Sequence, residues 1–261
     1  MIFCIDIGNT NIKYGVYSRD KLVASFRVAS VKASTSDEYG TVVRDLLANE
    51  KIAKSQIKGV ILSSVIPQLN YTISHMCEYY LGHTPLIVGP GIKTGINIKV
   101  DSPREVGADR IVNSVSALRK YGKGRNVICI DFGTATTFNV ISDKGELIGG
   151  VISPGIKGSL DSLVNGTAKL PNIELEMPKS IICKNTVTNM QAGLLYGFAG
   201  LVTHIVEKMK QELGTDNVVV VATGGLSETI ARETPCIDII DRNLTLDGLK
   251  ILYDINRVDN D

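Results

Sequence analysis

The sequence has no excess of charge of either sign. Its 28 Lys and Arg against 27 Asp and Glu leave a net charge of +1 over 261 residues. Without a basic surplus there is no electrostatic footing for nucleic acid or for an anionic membrane. No apolar run approaches the length of a membrane span. The five cysteines, Cys4, Cys77, Cys129, Cys183 and Cys236, are odd in number and scattered, and three lie in apolar, strand-like runs. They are expected as reduced core residues and not as a disulfide frame. The three histidines, His75, His83 and His204, have no Cys, His or Asp at metal-ligand spacing, so structural or surface roles are expected. No Walker A pattern is present, which removes the P-loop nucleotide sites. A strand pattern begins at residue 1 and leaves no room for a signal peptide, so a cytoplasmic protein is expected. What is present is ordinary for a globular chain: 44% hydrophobic and 21% charged residues, enough for one large domain or two of usual size.

The informative stretch is Asp6-Ile7-Gly8-Asn9-Thr10-Asn11-Ile12-Lys13. An apolar run drives into an aspartate, a polar turn follows, and Ile12 to Tyr17 alternates like a returning strand. Gly8 and Asn9 tolerate positive φ, so a tight hairpin is expected. Its backbone N–H groups, with Thr and Asn beside them, would form an anion cradle, and Asp6 beside a bound Mg²⁺ would complete it. An ordinary hairpin with a polar tip is the competing reading. A second copy decides between them. Val127 to Phe138 repeats the pattern, with Asp131 in the place of Asp6, Gly133 of Gly8 and Thr134 of Asn9. A third strand follows each hairpin, Leu22–Val28 and Glu146–Ile152. A decorative tip has no reason to recur with the same chemistry half a chain later.

Between the copies, a helix capped at Ser36 runs to about Asn49, and Val60–Val65 is a buried strand. A helix runs from Pro67 to Gly82, and Leu86–Val88 is a further strand. The first half therefore reads βββαβαβ. Ser102-Pro103-Arg104-Glu105 has the form of a capping box, and its helix is expected to continue to Tyr121. The short, basic, Gly-containing Lys120–Asn126 is the expected domain boundary, giving halves 1–120 and 121–261. The second half has a Gly-rich Gly149–Gly166, in which loop and helix start would let backbone approach a ligand. A long helix is expected from Met190 to Leu213. Its Gly193, Gly197 and Gly200 suit either a buried core helix or a subunit interface. Val218–Ala222 is a buried, parallel strand ending in Thr223-Gly224-Gly225, a turn of the kind on which a nucleotide base or ribose lies. Cys236–Ile240 is the last strand and Leu246–Ile255 the closing helix. The last few polar residues are expected as a tail.

Two such halves, each with Asp at the end of its first strand and a Gly/Thr hairpin after it, resemble the acetate and sugar kinase, Hsp70 and actin superfamily. The implied fold class is α/β: duplicated ribonuclease H-like (actin-like ATPase) domains with mixed central sheets flanked by helices. The finer motifs resemble type III pantothenate kinase: Asp6–Lys13, Glu105-Val-Gly-Ala-Asp-Arg110, Asp131-Phe-Gly-Thr-Ala-Thr-Thr137, Gly149–Gly155, Lys184-Asn-Thr186, Thr223-Gly-Gly225 and Leu244–Leu249. They occur in the family's order and spacing along essentially the whole chain. The resemblance implies transfer of the ATP γ-phosphate to pantothenate, giving 4'-phosphopantothenate in the first step toward coenzyme A.

The resemblance also implies roles. Asp6, Ile7, Gly8, Asn9, Thr10, Asn11, Ile12, Lys13, Thr134, Gly224 and Gly225 would bind ATP, and Asp6 would act on Mg²⁺ through the phosphates. Asp131 would hold a monovalent cation, K⁺ or NH₄⁺. Gly107, Ala108, Asp109, Arg110 and Thr186 would bind pantothenate, and Asp109 would accept the proton of its hydroxyl. Its place early in a helix, where the dipole favours a carboxylate, agrees. The N-terminal half would carry the first hairpin and the pantothenate segment; the C-terminal half would carry the second hairpin, the adenosine site and the dimerisation surface of a homodimer. One departure stands out: Val100 occupies the place of a substrate-contacting Tyr. Two rival readings are a superfamily kinase for another small hydroxyl acceptor and a non-catalytic regulatory relative. The acceptor segments argue against the first. Asp6, Asp109 and Asp131, all present, argue against the second.

Overall fold

A computed structural model describes residues 1–257 of the chain. The expected polar tail, 258–261, lies outside the described residues. Contacts divide the chain into two compact units. The first comprises Met1–Asn97, Asp101–Ser116 and the chain from Asn243; the second comprises Ile98–Val100 and Ala117–Arg242.

The first unit is built on a five-stranded sheet of β1 (Ile2–Ile7), β2 (Asn11–Ser18), β3 (Lys21–Ala29), β4 (Gly59–Ser64) and β5 (Leu86–Ile87), in the order β3-β2-β1-β4-β5. The first three strands form an antiparallel meander, and β4 and β5 extend it in parallel. Phe3, Ile5 and Ile7 point to one face, where α1 (Ser36–Asn49) and α2 (Pro67–Met76) close a core with Val43, Leu47, Leu69 and Ile73. Burying each such side chain stabilises the fold by roughly 1.5–3 kcal/mol. The cap of α1 is Thr35, one residue before the expected Ser36. Glu38 lies three positions after Thr35, and the two close a reciprocal capping box. After α2 the chain makes a π-type turn, Cys77–Leu81, and stops at Gly82 as expected.

The opposite face of this sheet, with Cys4, Asp6 and Gly15, is covered by α7 (Leu244–Asn256). Leu246 fills the space over Gly15. The buried Tyr17 donates its hydroxyl to Asp247 at 2.5 Å, and the buried Lys250 is matched by Asp254. The closing helix was expected with the second half of the chain; it belongs to the first unit because its apolar face packs on β1, β2 and β4. Burial pushes the Cys4 thiol well above the usual range, as it does those of Cys77 and Cys129. All five cysteines are free.

Between the hairpin repeats lie β6 (Asn97–Ile98) and α3 (Ala108–Ala117). The expected capping box at Ser102 does not form. Pro103–Glu105 is a single 3₁₀ turn, Ser102 caps no N–H with its side chain, and Val106 is extended, so α3 starts afresh after Gly107.

The second unit repeats the first. Its sheet of β7 (Asn126–Phe132), β8 (Ala135–Ile141), β9 (Glu146–Pro154), β10 (Val218–Gly224) and β11 (Ile239–Ile240) runs β11-β10-β7-β8-β9, with β6 added at the β9 edge. The same antiparallel meander precedes the same parallel addition. The α4 (Ile156–Asn165), α5 (Thr186–Leu213) and α6 (Ser227–Ala231) helices pack over the face that carries Ile128, Ile130 and Phe132. The π-type turn Leu118–Gly122 that continues α3 packs against β7. The α5 helix begins four residues before the expected Met190, because Asn185 caps it by accepting the Thr188 N–H at 3.0 Å. The last strand is shorter than expected. Among the described residues, no helix is long and apolar enough to cross a membrane.

Candidate functional site

In the first unit the site is built where β1 ends. Asp6 is 7% exposed, and its neighbours in register are Lys13 on β2 and Ser63 on β4. Ser63 donates its hydroxyl to Asp6 Oδ1 at 2.7 Å. The turn that follows is closed by Gly8 N–H donating to Asn11 O at 3.0 Å, and is tied from outside by Ser30, whose hydroxyl donates to Gly8 O at 2.6 Å. The expected hairpin forms, and neither Gly8 nor Asn9 uses the positive φ that both tolerate, since a three-residue connection turns the chain without it. Asn9 and Thr10 are exposed and Lys13 is half-buried, whereas the Ile7 and Ile12 side chains are sealed in the core and leave only their backbone for a ligand.

Asp109 and Arg110 lie in the same unit, in the first turn of α3. Asp109 Oδ1 accepts the Arg110 backbone N–H at 2.8 Å. A Cβ on Gly107 would come within 2.5 Å of that carboxylate oxygen, so glycine is what leaves the carboxylate room. Burial draws the half-buried Arg110 guanidinium below its ordinary pKa, and Asp109 beside it works the other way.

The second unit holds Asp131, Thr134, Thr186, Val100, Gly224 and Gly225. Asp131 is half-buried at the end of β7, in register with Thr137 on β8 and Thr223 on β10. Thr134 is exposed at the tip of the second hairpin, whose turn closes through Gly133 N–H on Ala135 O at 3.1 Å. Two glycines pack against this hairpin. Gly155, at the start of α4, lies so close that a Cβ would overlap the Thr134 carbonyl. Gly224, with φ +96°, would bring a Cβ to 2.6 Å from Phe132 O. The Gly149–Gly155 and Thr223–Gly225 motifs therefore meet at one place, beside Thr134 and Asp131. Thr186 is exposed in the first turn of α5, and Val100 is half-buried on another segment of the unit. The fold adds Ser63 and Ser30 to the predicted residues, and brings Gly155 and Thr223 from their motifs into the site. The Thr223 hydroxyl is 1% exposed and has no hydrogen-bond partner. Thr223 stands in the Thr223-Gly224-Gly225 motif, but only strand pairing sets it beside Asp131, as it sets Ser63 beside Asp6.

Two mixed sheets of one topology, each with an aspartate at the end of its first strand and a hairpin beside it, define a member of the sugar kinase and actin-like ATPase fold. Solved structures share it. A protein described as a 2-dehydro-3-deoxygalactonokinase from Sinorhizobium meliloti aligns with TM-score 0.62 and 12% identity, over 100% of this chain and 99% of that one. A protein assigned to the Baf family of transcriptional activators from Campylobacter jejuni aligns with TM-score 0.60 and 16% identity, over 97% and 98%. The inorganic polyphosphate/ATP-glucomannokinase of Arthrobacter sp. strain KM aligns with TM-score 0.51 and 18% identity, over 97% of each chain. The family model for type III pantothenate kinase matches residues 2–208. The chain belongs to the type III pantothenate kinase family, and is thereby a kinase.

The close approach at Gly155 yields a direct test. Gly155→Ala is expected to destabilise the protein by about 1–3 kcal/mol in urea unfolding, since backbone must move to admit the methyl group. Gly158→Ala, one turn along α4 where nothing lies within 4 Å, is expected to be neutral or stabilising by up to ~1 kcal/mol. Equal effects would mean that Gly155 does not hold the hairpin.

Proposed function

We propose that this kinase transfers the γ-phosphate of ATP to the terminal hydroxyl of pantothenate, giving 4'-phosphopantothenate. The observation that carries the reading is the family match over residues 2–208, joined to two aspartate-led hairpins and a Gly107-Ala-Asp-Arg110 helix start. Phosphoryl transfer asks for positioning and charge neutralisation more than for covalent chemistry. In this reading the Asp6–Lys13 segment, Thr134, Gly224 and Gly225 bind ATP, and Lys13 brings a positive charge toward its phosphates. Asp6, already fixed by Ser63, would act through the phosphates on the Mg²⁺ that accompanies ATP.

Asp131 holds a K⁺ or NH₄⁺. The residues present fit such an ion: a carboxylate at an open strand end, with a buried, unpartnered hydroxyl on the next strand, is the oxygen-rich setting a hard cation takes. When bound, the cation supplies positive charge against phosphate oxygens. Among the described residues no three His, Cys, Asp or Glu cluster as a metal site, so the cation reading rests on Asp131 and its oxygen neighbours.

Asp109 is the proton acceptor. It takes the hydroxyl proton as the acceptor oxygen bonds to the γ-phosphorus and the bond to the ADP oxygen breaks. Gly107, Ala108, Arg110 and Thr186 bind the acceptor, with Arg110 offering its cation to a carboxylate. Val100, in place of the family's usual Tyr, gives that side of the acceptor site an aliphatic contact. We further propose a cytoplasmic homodimer. The free cysteines fit a reducing compartment. Gly193, Gly197 and Gly200 are exposed on α5, and a Cβ on any of them would meet nothing within 4 Å beyond its own stretch of helix among the described residues. A second helix has room to approach there.

Three measurements test these assignments. ADP release from ATP should depend on pantothenate and on K⁺ or NH₄⁺; release no greater than without acceptor, across a panel of cations, would sink the proposal. Asp109→Asn should lower kcat by roughly 100-fold or more while ATP binding stays near normal, because the base acts on the acceptor. Turnover at the wild-type rate would remove Asp109 from the mechanism. Sedimentation velocity should return a dimer, and a monomer at micromolar concentration would refute the α5 interface.

A further inference from the structure

The two units share one strand plan, so positions in them can be equated. Asp6 is next to last in β1 and Asp131 next to last in β7. The strand added in parallel is β4 in the first unit and β10 in the second. In register with Asp6 stands Ser63, and in register with Asp131 stands Thr223. Register partners on neighbouring strands present their side chains to the same face. Ser63 and Thr223 are thus the same position of the repeat, and both are hydroxyl residues buried to within 1% of completely.

They differ in what they do. The Ser63 hydroxyl donates to its aspartate at 2.7 Å, and Asp6 is almost wholly buried. The Thr223 hydroxyl has no partner, and Asp131 is more open. The acidic neighbour beyond Thr223 does not account for that hydroxyl. Asp241, whose N–H donates to Ala222 O, has its carboxylate engaged by Lys120 at 2.5 Å and by the Tyr121 hydroxyl at 2.8 Å. Other buried hydroxyls lack partners, among them Thr136. Thr136, however, is in register with Phe132 and so faces the apolar core of the unit, away from Asp131. Among the described residues, Thr223 alone combines a buried, unpartnered oxygen, a register place beside the predicted cation ligand, and a repeat counterpart that does bond its aspartate.

A buried hydroxyl without a partner is unfavourable, and where one is kept beside a carboxylate a ligand that uses it is the natural explanation. We propose that Thr223 is a second protein ligand, with Asp131, of the monovalent cation, its hydroxyl oxygen coordinating the ion. This rests on the reading of Asp131 given above. In the repeat, the hydroxyl that closes the first aspartate by a hydrogen bond serves the second by holding an ion. The first unit's aspartate then acts on Mg²⁺, and the second unit is selective for a larger, singly charged cation.

The test reads stability and needs no turnover. Thermal unfolding of the whole chain is followed as K⁺ replaces tetramethylammonium, an ion too large for the site, at constant ionic strength. Wild type should gain Tm with K⁺. Thr223→Val keeps the shape and removes the oxygen. It should match or exceed the wild-type Tm in tetramethylammonium, and should need about tenfold more K⁺ for half of the rise. Thr223→Ser should behave as wild type. If Thr223→Val fails to fold, Thr223→Cys, with a soft sulfur in place of the oxygen, carries the same expectation. Half-saturation at the wild-type K⁺ concentration in the variant would overturn the proposal. So would the absence of any K⁺-dependent rise in wild type, which removes the cation from Asp131 but leaves the pantothenate assignment to stand or fall on ADP release.

Discussion

The structure depends on where β1 and β7 end. Each is a central strand, antiparallel to its successor and parallel to a strand far along the chain. A buried strand with an aspartate as its last or penultimate residue carries a charge to the rim of the sheet. That charge is tolerable where a hydroxyl bonds it, as at Asp6, or where the rim stays more open, as at Asp131. The hairpin after it, the serine or threonine on the parallel neighbour, and the glycines that press on the turn are all arranged around that carboxylate.

Duplication supplies two such rims, and they differ in how the carboxylate is held. The first is closed: Ser63 bonds Asp6, and Ser30 pins the hairpin through Gly8. The second is open: Asp131 is half-buried, Thr223 has no partner, and two glycines approach the turn from the backbone side. A hydrogen-bonded, desolvated carboxylate is held in one orientation. A more open one beside an idle oxygen can take an ion. The same topology thus yields two strand ends of different character through one hydroxyl residue and its surroundings.

Much of this was legible in the sequence because it is local. The Asp-Gly repeat, the meander that follows it, the β-branched run at Val218–Ala222 and the helix from Pro67 to Gly82 are all set by periodicity and turn chemistry within a few residues. The errors are local too. Thr35 caps α1 in place of Ser36 because Glu38 completes the box with Thr35, and the Ser102 box fails because Val106 is extended before Gly107. Gly8 and Asn9 tolerate positive φ, yet the expected hairpin closes without it, and the N–H groups of Gly8 and Gly133 are spent on closing the two turns.

The amino-acid sequence by itself determined the repeat, the class of fold, the positions of Asp6, Asp109 and Asp131, and the family resemblance that the comparison with known proteins bore out. The tertiary structure decided what no short window contains. It took the closing helix α7 into the first unit, since an apolar helix face goes where an uncovered sheet face lies and not where the chain order would leave it. It brought Gly155 and Gly224 onto the second hairpin. It also set Ser63 beside Asp6 and Thr223 beside Asp131 across 57 and 92 residues of chain. Parallel pairing joins strands that are distant in sequence, and its register is fixed by burial of the whole sheet.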